Sequence, residues 1–224
     1  MKKLSVLAAA FAFVTIFCLA GVASAKKFKV AMVTDVGGVN DQSFNQSAWE
    51  GLKKAEKELG IKIAYKESKQ DADYGPNLET LTDADYDLIW GVGFLMGDSI
   101  KSTAQINPDQ YYAIIDFFYG DETPKNVGCA IFQEEQPSFL VGYIAGKMTK
   151  TNKIGFVGGI KFPLIEKFEY GYMAGAKLAN PDVEVLRQYA ESFTDAAKGK
   201  AIPITCISRV RILSFTQQVQ LVMV

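Results

Sequence analysis

The sequence predicts an α/β fold made of two doubly wound lobes, each built on a parallel sheet. Short apolar, β-rich runs alternate with helical stretches along most of the chain, the pattern of parallel strands joined by helices. The alternation restarts near residues 130–134, so a second unit follows the first with a cleft between them. The chain has 224 residues, 49% of them apolar, and is long enough for two cores.

The first 25 residues have the features of a signal peptide. Lys2 and Lys3 precede an almost entirely apolar run at residues 4–20, and residues 23–25 read Ala-Ser-Ala, a small-residue cleavage site. A single membrane-spanning anchor is the alternative, but the apolar run is short for that role. We therefore predict cleavage after Ala25 and a protein that is periplasmic or secreted.

The three cysteines indicate neither a lipid anchor nor a disulfide framework. Cys18 lies between Phe17 and Leu19, whereas a lipoprotein site has small residues on both sides, so a lipoprotein is the less favoured form. Only Cys129 and Cys206 remain after cleavage, which is too few for a framework of disulfides.

Composition excludes several classes of function. The chain contains no histidine, so Ser-His-Asp catalysis, Cys-His catalysis and His-ligated zinc are ruled out. Lys and Arg number 24 against 25 Asp and Glu, and the net charge falls from -1 to -3 when the leader is removed. A nucleic-acid-binding protein normally has a basic surplus. We therefore expect no nucleic-acid partner, and also no metal ion and no cofactor.

Residues 26–132 are predicted to form the first lobe. Its first helix carries apolar residues at spacings of four, four, three and four from Phe44 to Leu59, and Gly60 stands where a helix-ending glycine is expected. The predicted strands are residues 28–34, 61–65, 86–92, 111–116 and 127–132, and the other helices are residues 76–84 and 97–106.

Residues 133–202 are predicted to form part of a second lobe. Its helices cover residues 134–148 and 163–178, its strands cover 153–157 and 183–189, and a further helix opens at Thr194. Residues 203–224 are strand-like and unpatterned, with no helical stripe and no capping signal. We therefore expect the second lobe to be incomplete.

Candidate site residues follow from the position of ligands in doubly wound sheets, which lie beyond the carboxyl ends of the strands. Those ends carry Asp35, Gly93, Phe94 and Asp116, while a polar cluster with one aromatic ring precedes the first helix: Asn40, Asp41, Ser43, Phe44 and Asn45. Such a set suits a flat, neutral, polar ligand, because the ring stacks and the polar groups bind its edge. Turn geometry and helix capping are the alternative explanations, and Phe44 is also placed to be a core residue.

Two enzyme classes remain as alternatives. Residues 91–97 read Gly-Val-Gly-Phe-Leu-Met-Gly and precede Asp116 by about the distance found in dinucleotide-binding sites, but the glycine spacing is one residue too long. Export also disfavours a nicotinamide oxidoreductase. An exported hydrolase that uses paired carboxylates, for example on nucleosides, is the second alternative. No G-x-S-x-G nucleophile turn is present, and we predict a binding protein rather than an enzyme.

Four segments together resemble the basic membrane protein family of ABC-transporter substrate-binding proteins. Residues 33–51 (VTDVGGVNDQSFNQSAWEG) resemble the opening of the family, and three later segments resemble its middle: residues 134–146 (EEQPSFLVGYIAG), 154–159 (IGFVGG) and 168–175 (FEYGYMAG). The resemblance covers about residues 28–202 in the family's order.

The resemblance implies a type I periplasmic-binding fold that captures nucleosides, often purines, for a membrane permease. It implies that Phe44 stacks on the base, that Asp41, Asn45 and Asp116 are polar contacts near it, and that Phe168 is a second wall. It also implies a monomer that meets the membrane only through the ABC permease.

Residues 203–224 depart from the family, which continues with a helix, a strand and a glycine-rich loop. Read from the third base, the codons of residues 216–224 permit Ala-Ala-Gly-Ala-Thr-Gly-Asn-Gly, and those of residues 210–215 permit a buried strand in the same frame. We interpret residues 203–224 as an out-of-frame tail after a single-base deletion near codon 203; a divergent natural C-terminus is the alternative. On this interpretation the chain is truncated and binds nucleoside weakly or not at all.

Overall fold

The first sheet contains five parallel strands, and their order explains where a ligand can sit. In the computed structural model, which describes residues 26–209 and 213–216, the strand order is β2-β1-β3-β4-β5. The chain leaves β1 toward one edge and returns at β3 on the other side, so the β1/β3 boundary is a topological switch point. The strands are β1 Lys29–Val33, β2 Lys62–Lys66, β3 Leu88–Val92, β4 Tyr111–Ile115 and β5 Val127–Ala130.

Three α-helices cover this sheet: α1 Phe44–Leu59, α2 Tyr74–Asp83 and α3 Gly97–Ile106. Gly60 ends α1 in the left-handed conformation at φ 67°, as predicted. The predicted apolar stripe of α1 is wrong at its last residue, because Leu59 is 73% exposed. Leu59 lines an apolar groove together with Phe28 and Ile61.

The second sheet has three parallel strands among the described residues, in the order β7-β6-β8. The strands are β6 Lys153–Gly158, β7 Glu184–Tyr189 and β8 Leu213–Thr216, and the helices are α4 Glu135–Met148, α5 Pro163–Ala179 and α6 Ala196–Arg209. The chain passes between the sheets at residues 131–134. Two separate cores, one around Met32 and Ile89 and one around Ile154 and Tyr172, confirm the predicted α/β fold with two parallel sheets.

Part of the stretch predicted to be strand-like, residues 203–224, is helical instead. Helix α6 continues through Pro203 to Arg209, and β8 pairs in parallel with β6. The helix is held at Ile202, which is buried against Val157 and Ala190. Residues 210–212 and 217–224 lie outside the described residues, and the out-of-frame origin of the tail stays a prediction.

Helices α4 and α5 pack unusually closely because glycines line both sides of their contact. A Cβ at Gly142 would meet the carbonyl of Tyr172, and a Cβ at Gly175 would meet that of Phe139. Gly146 and Gly171 repeat the arrangement one turn away. Within the described part of the chain, no helix combines the length and the apolar character needed to cross a membrane.

Candidate functional site

Asp35, which follows β1, is held by Asn45, the second residue of α1. Asn45 Nδ2 donates to Asp35 Oδ1 at 2.7 Å, and the backbone N–H of Asp35 donates to Asn45 Oδ1 at 3.2 Å. The N–H of Gly37 also donates to Asp35 Oδ1, at 2.8 Å. Burial raises the pKa of the Asp35 carboxyl, although these hydrogen bonds act in the opposite direction. The loop therefore presents Asp35 in a fixed orientation.

Asp41 holds the start of α1. Its Oδ1 accepts hydrogen bonds from the N–H groups of Ser43 and Gln46, at 2.9 and 3.0 Å. Its Oδ2 accepts from the N–H of Asn45 at 2.8 Å and from Asn45 Nδ2 at 3.0 Å. Burial alone would raise the pKa of the Asp41 carboxyl, but these amides bring it below its usual value. Both oxygens of Asp41 are thus used within the loop.

Phe44 and Asp35 both lie close to Gly93, the residue that follows β3. A Cβ at Gly93 would lie 3.3 Å from Phe44 Cε1 and 3.5 Å from Asp35 Oδ2, and Gly93 has φ 110°. Phe44 also packs partly against the first core, so its ring is neither fully buried nor free. The structure therefore brings three predicted site residues together at the β1/β3 switch point.

Phe94 lies between the two lobes. Its ring stacks on Phe162 with centroids 4.3 Å apart and meets Phe193 edge-on at 5.9 Å. Phe162 precedes α5 just after β6, and Phe193 follows β7, so both stand beyond the carboxyl ends of second-sheet strands. Neither phenylalanine was among the predicted site residues, although the rule that ligands lie beyond strand ends applies to both as it does to Asp35.

Asp116, which follows β4, belongs to a charged group between the lobes. Burial, together with the nearby charge of Glu134, raises the pKa of its carboxyl to about 6, and Lys167 acts against both. Asp116 has φ 66°, and its backbone N–H donates to the carbonyl of Ala130 at 2.8 Å. Glu134 and Lys167 were not among the predicted site residues.

The remaining predicted residues lie around these groups. Phe168 is half-buried against the second core, and its carbonyl accepts a hydrogen bond from Ser138 Oγ at 2.8 Å. Asn40 is exposed on the loop before α1, and Ser43 is the residue that precedes the helix. A ligand contact by any of the three stays a prediction.

Sequence comparison identifies the family of the chain. Residues 28–209 match the family described as "ABC transporter substrate-binding protein PnrA-like". The chain belongs to this family. The resemblance read from the sequence is thereby confirmed. Because the PnrA-like family consists of solute-binding proteins, the preference for a binding protein over an enzyme is confirmed as well.

Several curated proteins are similar to this chain in sequence. The chain is 46% identical to the "CD4+ T-cell-stimulating antigen" of Listeria monocytogenes, over 80% of this chain and 51% of that protein. It is 42% identical to the "ABC transporter nucleoside-binding protein BmpA" of Lactococcus lactis, over 90% of this chain and 61% of that protein. It is 45% identical to "Basic membrane protein A" of Borreliella burgdorferi, over 78% of this chain and 51% of that protein. The chain thus spans about half to three-fifths of the length of these relatives.

Solved structures agree on the fold. A solute-binding protein of an ABC transporter system from Aeropyrum pernix superposes with a TM-score of 0.78 and 29% identity, over 85% of this chain and 55% of that one. An ABC transporter solute-binding protein from Burkholderia multivorans superposes with a TM-score of 0.66 over 87% of this chain, at 19% identity. The type I periplasmic-binding fold expected of the PnrA-like family is therefore confirmed.

Proposed function

We propose that this chain belongs to an exported receptor that captures a nucleoside for an ABC permease. The observation that carries the proposal is the partly open ring of Phe44 beside the Asp35 carboxylate at the β1/β3 switch point. An aromatic face next to an oriented acceptor fits a flat heterocycle that carries hydrogen-bond donors. The name of the Lactococcus lactis relative, a nucleoside-binding protein, supports the same ligand class.

Within this proposal, the loop residues have different roles. Asp35 Oδ2 makes no hydrogen bond within the described part of the chain, so it can accept one from a ligand. Asn45 is buried, and both N–H bonds of its amide are used by Asp35 and Asp41. We therefore assign the ligand contacts to Phe44 and Asp35, and a positioning role to Asn45 and Asp41.

The second lobe supplies aromatic side chains from the opposite side. Phe162 and Phe193 meet Phe94 where the two lobes touch. In a receptor of this kind, movement of one lobe against the other closes the cleft on the ligand. These rings are candidates for the wall opposite Phe44, alongside Phe168, the residue predicted from the sequence.

The proposal includes the cellular setting predicted from the sequence. Cleavage after Ala25 gives a mature chain that begins at Lys26 and acts outside the cytoplasm as a monomer. Its partners are a small-molecule nucleoside and the ABC permease, and the membrane is reached only through that permease. The intact mass of the exported protein checks the cleavage position.

The test is titration calorimetry with purine and pyrimidine nucleosides, free bases and sugars. Although the chain spans only about half to three-fifths of the length of its relatives, we expect weak but measurable heat of binding with at least one nucleoside and none with free sugars. Chromatography of the same mixtures after incubation checks for products. Conversion of any nucleoside, or no binding by any member of the panel, would contradict the proposed function.

A further inference from the structure

Glu134 is a buried acidic residue at the junction of the two lobes. It immediately precedes α4, where the chain has just left the first sheet, and only 5% of its surface is exposed. A carboxylate is seldom so buried unless its oxygens are paired, because removal from water is costly. The partners of its two oxygens therefore indicate what the site is built to hold.

The two oxygens of Glu134 have different surroundings. Glu134 Oε2 accepts from Lys167 Nζ on α5 at 3.1 Å. Glu134 Oε1 is also buried, but no residue in the described ranges donates a hydrogen bond to it. A buried carboxylate oxygen without a donor is unfavourable, and most such atoms in folded proteins have one. A donor that comes from a ligand would satisfy Oε1.

The groups around Glu134 favour a neutral donor over a cation. Asp116 is close enough to interact with both Glu134 and Lys167, so two carboxylates and one ammonium group share this site. The ammonium group of Lys167 repels cations, and Ca²⁺ takes six or more oxygen ligands. No group of three metal-binding side chains occurs in the described part of the chain.

Predicted ligand contacts border this position on both sides. Asp116 comes from the first lobe, at the end of β4, next to β3 and Gly93 in the sheet. Phe168 follows Lys167 on α5, and its carbonyl accepts from Ser138, one turn after Glu134. Glu134 thus stands between contacts offered by the two lobes.

We propose that Glu134 Oε1 accepts a hydrogen bond from an O–H or N–H group of the bound nucleoside. The inference rests on the proposed function and adds a contact that the sequence analysis did not select. The donor is either the 2′- or 3′-hydroxyl of the ribose or the N1–H of the base. Lys167 holds the carboxylate in place through the other oxygen.

The test compares the full chain with Glu134→Gln by calorimetry, using guanosine, which carries donors on both the base and the sugar. A hydrogen bond to a charged group predicts an affinity about 10-fold to 100-fold lower in the variant. Glu135→Gln is the matched control, since it makes the same change one residue later on α4. Circular dichroism and thermal unfolding confirm that each variant is folded.

Two guanosine analogues identify the donor. If the donor is a ribose hydroxyl, 2′,3′-dideoxyguanosine should bind the parent chain and Glu134→Gln equally. If the donor is the N1–H of the base, 1-methylguanosine should bind the parent chain and Glu134→Gln equally. Lys167→Gln tests the structural alternative, because loss of the ion pair alone should weaken guanosine and both analogues by the same factor.

The outcomes separate the inference from the proposed function. A loss of affinity in Glu134→Gln that disappears with one analogue supports the inference. An unchanged affinity for guanosine, or a loss equal for guanosine and both analogues, overturns the inference and leaves the proposed function standing. If the parent chain binds no nucleoside at all, the proposed function fails and the inference fails with it.

Discussion

Among individual residues, Phe44 gives the most direct test of nucleoside binding. If its ring stacks on a base, Phe44→Ala should weaken binding by about 1–3 kcal/mol, the range for stacking between a base and an aromatic side chain. Calorimetry of the folded variant measures this loss. Phe118→Ala, at an exposed aromatic residue, is the control. If Phe44 is only a core residue, the free energy of unfolding will fall while the affinity per folded molecule stays the same.

Asp116 should make stability depend on pH. Its pKa is raised to about 6 in the fold by burial and by Glu134, with Lys167 acting against both, whereas an ordinary aspartate titrates near 3.8. Between these values the folded state holds more protons than the unfolded state. The free energy of unfolding therefore falls as pH rises from about 4 to about 6.

Asp116→Asn should remove this dependence. Relative to the parent chain, the variant gains stability progressively through that pH range and keeps the gain above it, because position 116 then carries no carboxylate to lose its proton. Denaturant unfolding at several pH values between 4 and 7.5 measures the difference, with the exposed Asp121→Asn as control. If the difference in unfolding free energy between the parent chain and Asp116→Asn is the same at every pH, Asp116 is not the source of the pH dependence.

Among the elements, the α4/α5 pair depends on glycine. A Cβ at Gly175 would overlap the carbonyl of Phe139 and approach the backbone nitrogen of Tyr143 at 2.8 Å. Because both neighbours are backbone atoms, the helices would have to separate. We expect Gly175→Ala to lower the free energy of unfolding by about 1–3 kcal/mol or more.

Gly51→Ala is the matched control for Gly175→Ala. Gly51 lies inside α1, and a Cβ there meets nothing within 4 Å. Alanine should therefore stabilise α1 by up to about 1 kcal/mol through its higher helix propensity. Denaturant unfolding of both variants measures the two effects. Equal effects of the same sign would show that close packing of α4 and α5 does not control stability.

At the scale of the whole molecule, large apolar surfaces are open. A groove of about 410 Å³ lies between α1 and the first sheet, lined by apolar side chains that include Leu52 and Trp90. On α4, Leu140, Ile144 and Met148 are mostly exposed. The chain spans 61% of the Lactococcus lactis relative, and its second sheet has three strands in the described ranges against five in the first.

A two-lobed receptor gains affinity when both lobes contact the ligand, so we expect this chain to bind nucleoside at least about 100-fold more weakly than that relative. Calorimetry of both proteins under one set of conditions measures the ratio. Comparable affinities of the two proteins would show that the described part of the second lobe is sufficient for full nucleoside binding. Sequencing the gene past codon 203 tests the frameshift separately, because an early stop in the alternative frame would exclude it.

Local sequence was enough to locate most elements. The predicted helix over residues 97–106 coincides with α3, and the predicted glycine end of α1 is observed at Gly60. Periodicity and turn residues act over a few neighbouring positions, so one sequence contains this information. The rule that ligands lie beyond strand ends also selected Asp35 and Gly93, which meet at the switch point.

The sequence by itself determined the α/β class, the positions of most helices and strands, and the residues that follow each strand of the first sheet. Only the tertiary structure decided that Phe94 stacks on Phe162, that Asn45 uses its amide on Asp35 and Asp41, and that Glu134 is buried beside Lys167. The physical reason is that these contacts depend on which strands are neighbours and on how the two lobes meet. Both result from packing between distant segments, and the periodicity of a single segment does not encode them.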